Sequence, residues 1–454
     1  MTTKVKKTVD AAKKRSASRP ARKSSPGKAA AGAEGLHEGA EQKLRVLFVH
    51  PAYPNQFTSI GVELNKLPGF ECYGLVHNDM GAQVVASGAG MQHFGFTPDG
   101  QTSPYTYPYI GPYEYAARNA TGIVNALLTI NQAHKLDAIV GHAAFGSSIY
   151  LNGLLDCAVV SYAELPGFQT AAARLEFPHT LDTVFAGCTF ESLIYTSILN
   201  SDLGIVPTEY ARSLYPPELR PKIRAQMEGF DADSTPSGGP DERAALGLPV
   251  DARLIGFFGR TLEAVRGFDI FVQTAKRLHE QDSSLRFLVI GEDQSIYGNE
   301  MRYISGGSFK DYALGRAELP EGILLWRRTM PYAEFRRHIA CLDLAILPLF
   351  EGAANWNLFE AMAVGLPIIS SNKCFVPEVI RDGKEGILVD PYDVMAFVKH
   401  ASELVSNPER AKKLGEAARE RIRDRYSISR AVDGYRQIIR EAISIHQSKR
   451  AERR

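Results

Sequence analysis

Two glutamates, Glu351 and Glu360, punctuate an otherwise small and apolar stretch, LAILPLFEGAANWNLFEAMAVGLPIIS, at residues 344–370. An ionised carboxylate accepts hydrogen bonds and can take both hydroxyls of a vicinal diol, a group in which ribose and hexoses are rich. Between the two acids, Asn357, Leu358 and Phe359 open a run of helix formers. The first turn of a helix offers unpaired N–H groups and partial positive charge, and so attracts phosphate. Upstream, Arg260 and Arg266 lie in GRTLEAVRG, directly after an apolar run. Guanidinium groups fork onto phosphate oxygens, and fixed cations stabilise the charge that develops on a departing diphosphate. This constellation suits a nucleoside-diphosphate sugar. The plainer alternative is a strand–helix unit with solvated glutamates and an arginine that merely pairs with Glu263. His142, in GHAAFGSS, follows a short apolar run; at the end of a parallel strand its imidazole would face a ligand crevice, though a lone His is often only a satisfied core or loop residue.

The elements that must hold these groups follow from the hydrophobic pattern. Residues 344–347 are apolar and closed by Pro348, which reads as a parallel strand buried on both faces. Gly365 and Pro367 end the helix that follows, before a further strand at 367–370. Similar short runs occur at 44–50, 73–77, 138–141, 158–162 and 203–207, and again at 254–258, 285–290, 323–326 and 386–389. Helical patterns at 112–135, 268–280, 332–340 and 394–405 alternate with them, which implies parallel doubly wound sheets. ADSTPSGGP at 232–240 reads as a linker. The turn-rich PAYPNQFTS after the first strand is an acceptor-facing loop, and residues 98–112, rich in Tyr and Pro, form an irregular one.

At 454 residues two domains are the natural expectation. Net charge is +1, but residues 1–30 hold ten Lys/Arg and a single Asp. Residues 1–43 carry too little apolar surface to fold and form a basic tail. Its plain use is as a flexible, solubilising segment; the sharper ones are peripheral contact with an anionic inner membrane face or non-specific contact with nucleic acid. The five cysteines are scattered, without a C-x-x-C pair, which argues against a zinc site or a disulfide framework and fits a reducing, cytoplasmic setting. Asp231-x-Asp233 formally matches a metal-binding D-x-D but falls at the linker and is read as coincidence, so no metal or cofactor is expected. Without a basic-aromatic stripe, no specific nucleic-acid partner is expected.

The segment EGAANWNLFEAMAVGLPII resembles the donor-site signature of the GT-B glycosyltransferases, family 4 in particular. Glu360-Ala361-Met362-Ala363-Val364-Gly365 matches its second half. The first half departs: eight residues rather than seven separate the acids, and Gly352-Ala353-Ala354 stands for the usual Gly-Phe-Gly. Arg260 matches the family's Arg, while Arg266 stands where Lys is usual. The resemblance implies two Rossmann-like doubly wound parallel-sheet domains with a cleft between them. Residues 44–235 would form the acceptor side and 236–428 the donor side, and the helix within 429–454 would cross back to the first domain. It implies a retaining, metal-independent transferase in polysaccharide or glycolipid synthesis, taking a nucleotide-sugar donor and an unidentified glycan or lipid-linked acceptor. Glu360 would hold ribose, Glu351 the sugar, and Arg260, Arg266, Asn357, Leu358 and Phe359 the diphosphate. His142 would orient the sugar, residues 291–293 would border the donor, 326–328 would approach the base, and Trp356 would cover the donor or pack on the core. A sugar-nucleotide epimerase and a non-catalytic scaffold of the same fold are the rival readings.

Overall fold

A computed structural model describes residues 43–88, 90–167 and 174–453; the basic tail expected at 1–43 falls outside these apart from Lys43. Seven strands build a first, all-parallel sheet: β1 (Leu44–Val49), β2 (Phe70–His77), β3 (Gln92–Phe96), β4 (Ala138–His142), β5 (Ala158–Tyr162), β6 (Leu203–Val206) and β7 (Ile223–Ala225), in spatial order β3-β2-β1-β4-β5-β6-β7. Six more build a second: β8 (Leu254–Thr261), β9 (Arg286–Glu292), β10 (Leu324–Arg327), β11 (Leu344–Leu347), β12 (Ile368–Ser371) and β13 (Ile387–Val389), in order β10-β9-β8-β11-β12-β13. Both sheets are doubly wound, and each reverses its winding between its first and fourth strands. Such a switch point opens a crevice at the C-terminal ends of the strands, where α/β proteins bind ligands.

The burial pattern shows why the strands read as apolar runs. In β1, Val46 and Phe48 enter one core while Leu47 and Val49 enter another on the opposite face, as the two-residue repeat of a strand requires. Helix Gly111–His134 covers the second of these faces with Ile123, Leu127 and Ile130. The first is covered by the last helix, Ile428–Glu452, through Ala431, Tyr435, Ile439 and Ala442. Two strands escape the sequence pattern. β3 is a half-exposed edge strand interrupted by Gly95, and β7 has only three residues.

The chain crosses between the lobes twice, and the crossings touch. Phe230 N–H donates to the Tyr426 carbonyl at 2.7 Å, and Phe230 bridges Ser427. Gly229 has φ +88° beside this contact, and a Cβ there would come within 2.8 Å of Ile428 Cα and the Ser427 carbonyl, so only glycine fits. Asp231 Oδ1 accepts from the amides of Asp233 and Ser234, at 2.9 and 3.1 Å. The D-x-D pair thus includes a turn-forming residue at the hinge, and among the described residues no cluster of three His, Cys, Asp or Glu is arranged to hold a metal ion.

Candidate active site

At the second lobe's switch point the loop after β8 is organised by a fully buried carboxylate. Glu263 accepts from the amides of Ile296 and Tyr297, each at 2.9 Å, from Arg266 Nε at 3.0 Å and from the Thr261 hydroxyl. Its bond to Arg266 takes only Nε, and the guanidinium carbon lies 5.6 Å from the centre of the Tyr297 ring. Arg260 is exposed and makes no direct hydrogen bond or ion pair with another described residue. Both arginines act on Glu164, two residues beyond β5 of the first lobe. That carboxyl is open to solvent yet ringed by protein: burial raises it, and Arg266 and then Arg260 pull it back down. Glu164 of the first lobe thus lies within electrostatic reach of both cations.

The floor of this loop is clamped from the first lobe. Arg174 is buried, donates to Asp269 at 2.6 and 2.9 Å and to the Ala264 carbonyl at 3.2 Å, and lies over the Phe350 ring at 4.4 Å. Gly267, at φ +71°, ends the loop where a Cβ would meet the Pro348 carbonyl at 2.2 Å. Beside it, a cavity of about 380 Å³ opens at the ends of β9 and β10, lined by Leu262, Glu292, Asp293, Lys310, Trp326 and Arg328. Glu292 accepts from the Thr329 hydroxyl and from Arg328, contacts that hold it down to about 2.

The motif helix runs Trp356–Ala363. Asn355 caps it, its Oδ1 accepting from the amides of Asn357 at 3.0 Å and Leu358 at 3.3 Å, while Phe359 N–H reaches the Asn355 carbonyl at 3.4 Å. The three amides expected to meet phosphate are thus engaged by Asn355: those of Leu358 and Phe359 also reach its carbonyl, at 2.9 and 3.4 Å, so a turn of its side chain frees only the amide of Asn357. Glu360 is 3% exposed. Tyr332 donates its hydroxyl to Glu360 Oε1 at 2.6 Å, and Arg336 Nε lies 3.5 Å from Oε2, which has no hydrogen-bond partner among the described residues. Burial lifts this carboxyl to about 7, against the pull of Tyr332 and Arg336. Glu351 accepts from its neighbour's amide, Gly352 N–H, at 3.0 Å and from the Tyr210 hydroxyl of the first lobe at 3.1 Å. Trp356 is exposed, its ring packed edge-on against Phe230 at 5.8 Å.

The first lobe's switch point carries imidazoles. His142 ends β4 and His50 follows β1, its neighbour, with ring centres 5.5 Å apart. Each accepts at Nδ1 from the amide two residues on: Ala52 to His50 at 3.0 Å, Ala144 to His142 at 3.3 Å. For His142 this leaves the proton of the neutral ring on Nε2, whereas His50 Nδ1 also lies 3.3 Å from the Ala52 carbonyl, so either tautomer of that ring has a backbone partner. Burial lowers His50 to about 4, and burial with the adjacent His50 drives His142 well below its ordinary range. Both rings are therefore uncharged donors near neutral pH. Below them at the hinge, Glu228 is buried beside Tyr162 and Trp356, neither oxygen making a hydrogen bond among the described residues, and burial raises it to about 7.

Sequence reasoning named His142, Arg260, Arg266, Glu351 and Glu360, and its plainer alternative of an arginine paired with Glu263 holds for Arg266, but it passed over His50, Arg174, Tyr210, Tyr332 and Asn355. His50 carried the same signal as His142, an imidazole at a strand end. Asn355 carried a cap signal, an Asn just before a helical run. Arg174, which reaches Asp269 across the chain, carried none.

Comparison with known proteins places this geometry. A family model described as the glycosyl transferase family 4 group matches residues 70–235, and one described as glycosyl transferases group 1 matches 240–421. Among curated relatives, a D-inositol 3-phosphate glycosyltransferase of Corynebacterium urealyticum is 24% identical over 227 residues, 49% of this chain and 51% of the relative. An alpha-maltose-1-phosphate synthase of Mycolicibacterium smegmatis is 28% identical over 198 residues, 42% of this chain and 48% of the relative. The matches thus span about half the length of these relatives. Solved structures align over far more of the chain. Sucrose-phosphate synthase from Thermosynechococcus elongatus aligns with a TM-score of 0.65 at 15% identity, covering 88% of this chain and 100% of the other. Anabaena HepE in complex with UDP-glucose aligns with a TM-score of 0.64 at 13% identity, covering 88% and 99%. With one model on each lobe and the seam between them at the 232–240 linker, the chain belongs to the group 1 glycosyltransferases of family 4, on the GT-B fold.

Proposed function

We propose that this chain transfers a sugar from a nucleoside diphosphate to an acceptor hydroxyl, with retention and without a metal. The observation that carries the reading is the pair Arg260 and Arg266 at the second lobe's switch point, the first exposed and the second tied to Glu263 through Nε alone. Two guanidiniums there supply the positive charge that a departing diphosphate requires. The cavity at the ends of β9 and β10 is the place for the base. Ribose would take Glu360 Oε1 in exchange for the Tyr332 hydroxyl, which already presents one O–H to it. A phosphate oxygen would displace Asn355 Oδ1 from the amide of Asn357, at a helix tip where Leu358 and Phe359 stay bonded to the Asn355 carbonyl. Glu351 would meet the sugar, and the Nε2–H of His142 would orient it from the opposite lobe. The anomeric C–O bond to phosphate breaks as the acceptor oxygen bonds to the same face, and the departing phosphate takes the acceptor's proton. Closure of the lobes around the hinge would exclude water. A glycan or lipid-linked acceptor, in polysaccharide or glycolipid synthesis, fits this chemistry, and the basic tail would bring the enzyme to an anionic surface.

The test is incubation with a panel of nucleoside-diphosphate sugars and a broad acceptor set. Release of free nucleoside diphosphate is expected, with Arg260→Ala reducing turnover about 10²–10³-fold and Glu360→Gln weakening the donor complex. Binding without turnover would favour a scaffold, and sugar isomerisation without release an epimerase.

A further inference from the structure

The tyrosine-rich segment between β3 and helix Gly111–His134 plays no part in the site above, yet it is built rather than loose. Glu114 accepts from Ser103 N–H at 3.3 Å and from the Thr106 hydroxyl, and Arg118 pairs with Glu114 at 2.7 Å and donates to the Asp99 carbonyl at 2.6 Å. On this pinned frame Tyr105 is 95% and Tyr107 61% exposed. Tyr107 meets Tyr109 edge-on at 5.1 Å, and Tyr109 meets Phe185 at 5.5 Å. Phe185 and Leu181, four apart and so on one face of helix Leu181–Asn200, are both exposed. One aromatic surface therefore runs from Tyr105 to Phe185, and a contiguous exposed patch of this kind marks a binding site.

Its position and charge say for what. The segment leaves β3 at the strand's C-terminal end, and both helices start at that same end of the sheet, where His50 and His142 lie. Tyr109 donates its hydroxyl to Asp182 at 2.5 Å, and Asp182 pairs with Arg302 of the second lobe at 3.6 Å. The surface thus begins at the rim of the cleft and leads away from it. Residues 98–115 and 175–189 contain Asp99, Glu114, Glu176 and Asp182 and no Lys or Arg of their own, and Arg118, Arg174 and Arg302 pair with Glu114, Glu176 and Asp182, which leaves the surface with little net charge and nothing to attract phosphate or an anionic headgroup. An uncharged sugar ring suits it: polarised C–H groups lie on the negative face of an aromatic ring while phenol hydroxyls meet sugar hydroxyls.

We propose that this tyrosine surface binds an extended, uncharged glycan and feeds its end into the cleft as the acceptor, an inference that rests on the transferase reading. The test measures retention of the full chain on immobilised neutral oligosaccharides (α- and β-linked glucose, galactose, mannose and N-acetylglucosamine chains) and on phosphatidylglycerol vesicles. UDP, GDP and ADP affinities are measured in parallel. Wild type should bind at least one neutral chain, and the double variant Tyr105→Ala/Tyr107→Ala should bind it at least tenfold more weakly, with nucleotide and vesicle binding unchanged. No neutral chain bound, equal binding by the variant, or a loss of vesicle binding instead would overturn the proposal. If the variant loses the glycan while wild type binds none of the nucleotides, the surface stands and the donor reading fails.

Discussion

The two switch points share a topology and differ in almost everything else. At β1/β4 the groups presented are His50 and His142, uncharged and each with Nδ1 against a backbone amide. At β8/β11 they are Arg260 and Arg266, with Glu263 fixing the second. The strands set where a ligand can sit, and the residues at and just past the strand ends decide whether that place is neutral or charged. A donor with a diphosphate at one end and a neutral sugar at the other would match this division.

The comparison can be broken most strongly through the clamp beneath the charged side. Arg174→Ala leaves Asp269 buried without its partner, a change that costs roughly 3–5 kcal/mol. Thermal or denaturant unfolding should show the loss, and a variant as stable as wild type would mean the clamp does not support the β8 loop. The neutral side is probed next, through pH. The folded chain holds a proton on Glu228 up to about 7, whereas the unfolded chain releases it near an ordinary carboxyl value. The folded state thus binds more protons between about 4.5 and 7, and stability falls as pH rises through that window, on the order of 3 kcal/mol from this group. The depressed His50 and His142 act with opposite sign at and below about 6.5. Denaturant titrations of Glu228→Gln against wild type at pH 5 and pH 7.5 isolate the carboxyl: the variant should gain relative stability at the higher pH, and equal differences at both would refute its buried, protonated state. A smaller effect sharpens the charged side. Asn355→Ala should cost about 1 kcal/mol as a lost helix cap while leaving nucleoside-diphosphate affinity equal or tighter, because the amide of Asn357 is released. Weaker binding would show that Asn355 serves the ligand directly.

Much of this was legible because buried parallel strands are nearly continuous apolar runs: all six strands of the second sheet stand out, and the acids and arginines flank them. β3 and β7 were not, since an edge strand with a glycine and a three-residue strand lack that signal. Glu360's surroundings were hidden for another reason. Tyr332 and Arg336 share a helix face at four-residue spacing, but only tertiary packing brings that face against the carboxyl. Likewise nothing local marks Arg174 and Asp269 as partners.

Calorimetric titration of wild type, Arg260→Ala and His142→Ala with UDP, GDP and ADP puts the division of labour between the lobes to the test. At least one nucleotide should bind wild type, bind Arg260→Ala at least tenfold more weakly and bind His142→Ala within twofold of wild type. If none binds, or if Arg260→Ala binds as tightly as wild type, the second lobe's arginines are not the seat of the diphosphate.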